Sequence, residues 1–558
     1  MASHEDDLTS GVSSINPEEY RFAPEEKPQF PGSPYMPSHP NWRRAAYACV
    51  GLLVGTCSTF DNALVNVNIG DISGSLGLYV AQASWLPAIY TAMNASGNLT
   101  LVKARAQFGI PNITHGLLIV YALTTLVQLA TPSFVSEILV RAANGITAAA
   151  LITLGVYYLL QVFSPKHRAY AIVIGIALPQ LGTPLARLVP IELLSAGNWR
   201  GLDLVELGIA LVLLTVCLTF PLPPSERSKA FEPLDLVTIG LFVPAMLLLC
   251  GVLAVGRVVW WTDTPWLGWV LAATVPLFAT ALLIEIQRAH PLILFSWLGS
   301  VGMLRFGAVV LLVRFALAEQ TYGAVGFLTA GGLTNDQLHT LFAIVAVAML
   351  AGMLTAALTL SERSVHWQVM IAALIIALGA WIDTNSNNLT RPPQLYLSQA
   401  LLGFGTTLFI GPALAFGIVR ILNRGIDYLV SFLVLFSSIQ NVGGLLGSAV
   451  LGTYEIIQAR AHAVTLTDNL LASNPDVVAR IDLGAGSISG VVTDPAQRTV
   501  ESAGLLAQAM TREANVLAFN DVFRIVSILA LMCAAYVGCI ILFNAIRQQQ
   551  KVSSESGA

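Results

Sequence analysis

The chain has 558 residues, 55% of them hydrophobic and only 11% charged, with a mean hydropathy of +0.71. Soluble proteins carry about 25% charged residues, so the composition identifies an integral membrane protein. The net charge of −4 is small, and the 28 Lys and Arg sit in short runs between apolar stretches rather than on a basic face, which excludes nucleic-acid binding.

Residues 1–42 are polar and rich in proline (FPGSPYMPSHP). They lack the apolar core and small-residue cleavage site of a signal peptide and are expected to form a disordered cytoplasmic tail. Trp42, Arg43 and Arg44 mark the membrane edge. Fourteen apolar segments follow, at 45–67, 79–101, 110–130, 134–160, 169–193, 203–222, 235–257, 266–286, 305–327, 336–360, 367–383, 395–421, 430–453 and 523–546. Each is long enough for a hydrocarbon core of about 30 Å. An even number returns both termini to one side. With the amino terminus inside, cytoplasmic junctions hold fifteen Lys and Arg, whereas the short outer loops hold three, Arg200, Arg257 and Arg391. That bias predicts cytoplasmic termini.

The fourth and fifth segments carry the most chemical information. SFVSEILVRAANGITAAALITLGVYYLL places one arginine, Arg141, deep in an apolar span, with Glu137 one turn before it. A guanidinium in hydrocarbon costs at least a few kcal/mol and normally faces a bundle interior or a wet cavity. The next segment, RAYAIVIGIALPQLGTPLARLVPIELL, is interrupted by Pro179, Gly182 and Pro184, which bend a helix and let neighbours approach closely.

Beyond the thirteenth segment, Tyr454–Asp521 form an unusually long outer loop with two amphipathic runs on either side of GAGSISG. An internal echo relates NGITAAALITLGVYY to GFGTTLFIGPALAFG, and the fifth segment to the thirteenth, at an offset of eight spans. Two six-helix halves separated by two extra helices account for it, and such repeats put a substrate site between the halves. The expected organisation is therefore a tail (1–42), an N-terminal six-helix bundle (43–222), two linker helices (235–286), a C-terminal six-helix bundle (305–546, including the 454–521 periplasmic helical loop) and a cytoplasmic tail (547–558).

Several stretches resemble the major facilitator superfamily, specifically its fourteen-helix EmrB/QacA-type drug:proton antiporters. FDNALVNVNIGDISGSLG resembles that branch's first-span signature, with Asp61 in the acidic position. VRAANGITAAALITL is similar to motif B, with Arg141 as its arginine, and GIALPQLGTPLAR resembles the antiporter motif C. LAVGRVVWWTDTPW and the closing AFNDVF resemble further segments of the EmrB-like subgroup. Two departures stand out. The loop after the second span, NLTLVKARAQFGIPN, keeps Lys103, Arg105 and Gly109 of motif A but lacks its aspartate and trailing arginines, and motif C ends Ala186–Arg187 instead of in two glycines.

The fold implied is an all-α polytopic membrane protein of the major facilitator type, with two six-helix pseudo-repeat bundles and two extra central helices. The function implied is proton-coupled efflux of toxic amphiphiles by alternating access, in a cell inner membrane. The EmrB-like loop further implies a periplasmic adaptor protein and an outer-membrane channel. Dedicated transport of one metabolite, such as a siderophore or organic acid, is the alternative, and a non-transporting receptor or scaffold is a third reading. No GxxxxGK[ST] loop or hydrolase constellation occurs, so no enzyme and no nucleotide or other cofactor is expected. All six cysteines fall inside spans, with no metal-ligand spacing.

Proton coupling needs an embedded acid, and the candidates are Asp61 and Glu319, with Arg141 as the neighbouring cation. At 1.5 Å per residue, Asp61 lies roughly 25 Å and Glu319 roughly 21 Å above the cytoplasmic edge, and Arg141 about 12 Å below the outer edge, so contact among them is open. The candidate substrate cavity comprises Phe60, Trp85, Tyr90, Asn94, Arg314, Tyr322, Gln440 and Asn441.

Overall fold

A computed structural model describes residue 26 and residues 33–195, 199–225, 230–288, 291–361, 364–422, 427–468, 470 and 474–555. The expected tail at 1–25 and 27–32, and the end of the carboxyl tail at 556–558, lie outside the described residues. The long helices are α1 (Asn41–Val67), α2 (Trp85–Phe108), α3 (Ile110–Ala130), α4 (Phe134–Leu160), α5 (Pro165–Ala186), α6 (Arg200–Thr219), α7 (Pro233–Val259) and α8 (Pro265–Ile286). They continue with α9 (Val301–Ala318, extended through a π-helical turn Glu319–Gly323 into Ala324–Ala330), α10 (Asn335–Leu358), α11 (Val365–Asp383), α12 (Tyr396–Leu422), α13 (Asp427–Asp468) and α14 (Pro495–Glu555).

Thirteen of these are both long and apolar enough to cross a membrane. The exception is α2, 24 residues long but carrying Thr91, Asn94, Ser96, Asn98, Thr100, Lys103 and Arg105. It packs on α4, α7 and α13, so much of its surface meets protein instead of lipid, and its polarity is tolerated for that reason. Helices on the outside of the bundle present leucines and valines outward, among them Leu123, Leu218, Leu236, Val275 and Leu283, as a lipid-facing surface requires.

Local chemistry explains where the helices start. Ser133 caps α4, its hydroxyl accepting from the Ser136 backbone N–H at 3.2 Å, with Glu137 in the positive first turn. Pro233 opens α7 after Glu232, whose backbone N–H donates to Asp235 Oδ2 at 2.7 Å. The expected break in α5 is a 3-10 turn, Leu178–Leu181, between helices Arg168–Ala177 and Gly182–Ala186. There Thr59 Oγ1 of α1 donates to the Pro179 carbonyl at 2.5 Å. A Cβ on Gly182 would lie 2.3 Å from Thr59 Oγ1, so only glycine lets α1 and α5 cross this closely.

One sequence expectation needs correction. The tail is not disordered up to residue 42. Ser33, Tyr35 and Met36 are buried, Tyr35 N–H donates to the Pro224 carbonyl at 3.0 Å, and Gln161 Nε2 donates to the Tyr35 carbonyl at 3.1 Å. His39 Nε2 meets Gln161 Oε1 at 2.9 Å. Prolines in this stretch reduce the entropy lost on ordering, and two large side chains supply the burial that offsets the rest. The two amphipathic runs expected within 454–521 are helical. α13 runs without a break to Asp468, and α14 starts at Pro495, so both helices project as a stalk, α14 by about 40 Å at 1.5 Å per residue. A short helix, Pro475–Ser487, lies against α14, and His462 Nε2 meets Asp521 Oδ2 at 2.7 Å near the stalk's base.

Candidate functional site

A cavity of about 530 Å³ lies between the two halves, walled by α1, α2, α4 and α5 on one side and α9, α12 and α13 on the other. The extra helices α7 and α8 contribute nothing to its lining. Its polar groups are amides and hydroxyls, including Asn62, Asn66, Asn98, Gln180, Gln440 and Asn441, together with three arginines, Arg105, Arg187 and Arg314. Among the described residues no aspartate or glutamate lines it, and none of the three arginines forms an ion pair.

Each arginine is held by neutral groups. Arg314 Nε donates to the Gln440 carbonyl at 2.8 Å, and its guanidinium lies against Gly444, where a Cβ would come within 2.7 Å of Nη2. Arg187 Nη1 donates to Asn335 Oδ1 at 3.1 Å and stacks on the Phe342 ring at 4.9 Å, joining α5 to α10. Arg105 Nη2 reaches the Ala149 carbonyl at 3.4 Å. The halves also meet through Asn441 Nδ2 on Asn94 Oδ1 at 2.9 Å and Asn98 Nδ2 on Ser437 Oγ at 2.7 Å. Two unit charges 4 Å apart interact by about 4 kcal/mol at an effective dielectric of about 20. An acid-free wall with three guanidinium groups therefore favours an anion and opposes a cation by comparable amounts.

Beside the cavity, inside the first half, sits a buried charge network. Arg141 Nη2 donates to Glu206 Oε1 and Oε2 of α6 at 2.5 and 2.6 Å, and Arg141 Nε lies 3.0 Å from Glu137 Oε1. All three side chains are buried. Asp61 Oδ2 accepts from Tyr121 Oη at 3.1 Å, and Tyr121 Oη accepts from Asn144 Nδ2 at 3.0 Å. Asp61 Oδ1 is buried with no hydrogen-bond partner. Asp61 is thus a buried acid held by one neutral donor, next to an arginine already engaged by two carboxylates.

A second ion cluster ties the linker helices to the first half at the face where α1 begins. Lys103 Nζ lies 2.8 Å from Asp235 Oδ1, and Arg288 bonds Asp235 and Glu232 at 2.7 Å and Glu285 at 2.8 Å. The hydrogen bond from Arg288 holds the Glu232 carboxyl below the usual carboxylate range. Burial opposes the charge on Arg288, but its hydrogen bonds to Glu232, Asp235 and Glu285 outweigh that and raise its pKa above the ordinary value.

Of the residues singled out in sequence, Tyr90, Arg314, Gln440, Asn441 and Pro179 are in the cavity wall. Phe60, Trp85, Asn94 and Tyr322 are not among its lining residues, and neither are Gly182 and Pro184. Phe60 packs in an apolar cluster around Leu64, Trp85 lies against Gly251 of α7, and Tyr322 bonds Glu455 at 3.3 Å beneath Arg257. Asp61 and Arg141 come together in the first half, whereas Glu319 stands in the second, where Gln399 Nε2 donates to its Oε1 at 3.1 Å. Sequence reasoning missed Glu206, Tyr121, Asp383 and Gln399. Glu206 was legible as an acid inside an apolar span, GLDLVELGIAL. In sequence, Arg105 reads only as a retained residue of motif A and Arg187 only as a departure from motif C.

A bundle of membrane-spanning helices in two halves, with a central polar cavity and embedded ionisable groups, defines a secondary transporter. The Major Facilitator Superfamily model matches residues 51–448, and the chain belongs to that family, whose members are transporters and not enzymes. It is 28% identical over 419 residues to the cephamycin export protein CmcT of Amycolatopsis lactamdurans, covering 71% of this chain and 81% of that one. Among solved structures it is similar to a bacterial homologue of the human drug peptide transporters PepT1 and PepT2 (TM-score 0.55, 11% identity, 91% of this chain and 99% of that one). The proton:xylose symporter XylE is another (TM-score 0.51, 13% identity, 90% and 97%). At these identities the structures bear on the fold alone.

Proposed function

We propose that this transporter exports anionic amphiphilic small molecules in exchange for protons, by alternating access of the cavity between its halves. The observation that carries the substrate class is the wall itself, with three arginines and no carboxylate. It favours a dedicated or narrow range of acidic substrates over the broad cationic range of a multidrug pump. The likeness to a cephamycin export protein supports the outward direction. Proton coupling rests on Asp61 in its network with Tyr121, Asn144, Arg141 and Glu206. With substrate in the cavity and the proton beside it, movement of α1 and α5 about the Pro179–Gly182 crossing couples the two. The membrane is proposed to be a cytoplasmic membrane with both termini inside, on the charge bias of the loops. The stalk formed by α13 and α14 is the proposed landing surface for a periplasmic adaptor and, through it, an outer-membrane channel.

The test is dissipation of a respiration-driven pH gradient in everted vesicles. A cephamycin, a carboxylate-bearing β-lactam, and a carboxylate dye are compared with ethidium. The acids are expected to release protons from vesicles holding the wild-type protein and not from those holding Asp61→Asn. Release by ethidium alone refutes the anionic reading, and equal release by wild type and Asp61→Asn refutes coupling through Asp61.

A further inference from the structure

We propose that Glu319, Asp383 and Gln399 form a second proton-binding site in the carboxyl-terminal half, the repeat counterpart of the Asp61–Tyr121–Arg141 site. The inference rests on the reading of the chain as a proton-coupled transporter and adds a site to it.

The first support is the wiring. Gln399 Nε2 donates one N–H to Glu319 Oε1 at 3.1 Å and the other to Asp383 Oδ2 at 3.0 Å, so the two carboxyl groups lie on either side of one nitrogen. Glu319 is 0% and Asp383 1% exposed, and no lysine, arginine or histidine pairs with either among the described residues. The remaining oxygens, Glu319 Oε2 and Asp383 Oδ1, are buried with no hydrogen-bond partner. Two like charges this close in a dry interior cannot both persist. One proton, bonded to either free oxygen, leaves a neutral acid beside a single carboxylate held by the amide.

Beyond Gln399 the surroundings offer a neutral donor, the Ser398 hydroxyl beside Asp383, and no cation among the described residues. Arg314, on the same helix, donates to the Gln440 carbonyl in the cavity wall. Arg257 stacks on Tyr322 with Glu455 beside it, Arg391 donates to the Asn388 and Thr390 carbonyls, and Arg524 of α14 pairs with Asp521. Asp383 is the last residue of α11, where the helix dipole opposes a negative charge. Glu319 opens the π-helical turn in α9, and single π turns inside long helices are frequent at functional sites.

The second support is the repeat. At an offset of eight spans α9 corresponds to α1, α11 to α3 and α12 to α4. Asp61 of α1 bonds Tyr121 of α3 beside Arg141 and Asn144 of α4. Glu319 of α9 meets Asp383 of α11 through Gln399 of α12. The acid of each first helix is thus engaged by the third and fourth helices of its own half. The first half keeps an arginine near its acid, though Glu137 and Glu206 already share it, whereas the second has no cation, so a proton is what lowers its charge.

The experiment uses the full-length protein in lipid nanodiscs, with infrared difference spectroscopy of the protonated-carboxyl stretch through a pH titration. Wild type, Glu319→Gln, Asp383→Asn, Asp61→Asn and the exchanged pair Glu319→Asp/Asp383→Glu are compared. Glu319→Gln and Asp383→Asn should each remove or shift one component that Asp61→Asn leaves untouched, and the exchanged pair should retain it. A second arm measures reversal potentials with the cephamycin probe in proteoliposomes, where Glu319→Gln should lower the protons moved per molecule by one. Spectra of Glu319→Gln and Asp383→Asn identical to wild type overturn the proposal, as does a band that answers to sodium and not to pH. If wild type moves no probe, the exporter reading fails, and the infrared arm still decides the site.

Discussion

Replacing Arg141 by methionine tests whether the buried network of the first half holds α4 against α6. The guanidinium is 1% exposed, with Glu206 at 2.5 Å and Glu137 at 3.0 Å, and both acids are buried. Methionine fills a similar volume but strands two carboxyl groups with no cation. Breaking a buried ion pair by removing one partner costs about 3–5 kcal/mol, a large fraction of the 5–15 kcal/mol that typically separates folded from unfolded chains. Glu206→Gln removes one acid and leaves the Arg141–Glu137 pair, so its cost is the smaller 1.5–3 kcal/mol of a hydrogen bond to a charged group. The triple variant Arg141→Met/Glu137→Gln/Glu206→Gln has no stranded charge and should recover most of the loss. Thermal unfolding of the detergent-purified protein, followed with a thiol-reactive dye that reports the buried Cys217 and Cys533, ranks the three. An Arg141→Met protein that unfolds with wild type, or a triple variant less stable than Arg141→Met, refutes the argument.

Four further outcomes are expected. Arg314→Gln removes a charge from the cavity wall and should raise the KM for an anionic probe by tens-fold, on the 1.5–3 kcal/mol of a charge-assisted contact; Arg314→Lys should fall between, and a KM unchanged by Arg314→Gln places the substrate elsewhere. Gly182→Val pushes a side chain into Thr59 and the α1 backbone, an overpacking cost of about 1–3 kcal/mol, and should slow transport while leaving probe affinity nearly intact. Burial holds His39 below its ordinary value, against the hydrogen bond with Gln161. The docking of residues 33–40 is therefore fully present above the unfolded histidine pKa and is lost as pH falls through the lowered one, so the protection of the Tyr35 and Met36 amides, taken relative to intrinsic exchange at each pH, should fall on acidification, and not in His39→Gln. Arg288→Met leaves Glu232, Asp235 and Glu285 with only Lys103 among them and should loosen α7 and α8, read as faster proteolysis between α6 and α7.

Class, the succession of long helices and family were all legible in the sequence. Backbone groups in hydrocarbon must bond within their own segment, so apolar length translates directly into long helices, and even α2, too polar to qualify by composition, is a helix of 24 residues. The break at Pro179 and the burial of Arg141 were legible for equally local reasons. What a one-dimensional pattern cannot carry is the direction in which a side chain leaves its helix once fourteen helices are packed. Asp61 and Glu319 read at similar depths, yet packing puts them in opposite halves. Arg105 reads as a retained motif A residue and Arg187 as a departure from motif C, and the tertiary structure puts both in the cavity wall. Glu206 became the principal partner of Arg141 because α6 crosses α4 at that level, a contact between residues 65 apart in the chain. The tertiary structure alone decided which buried charges neutralise one another and which are left to a proton or a substrate, because a buried ion's energy depends on its neighbours within a few ångströms.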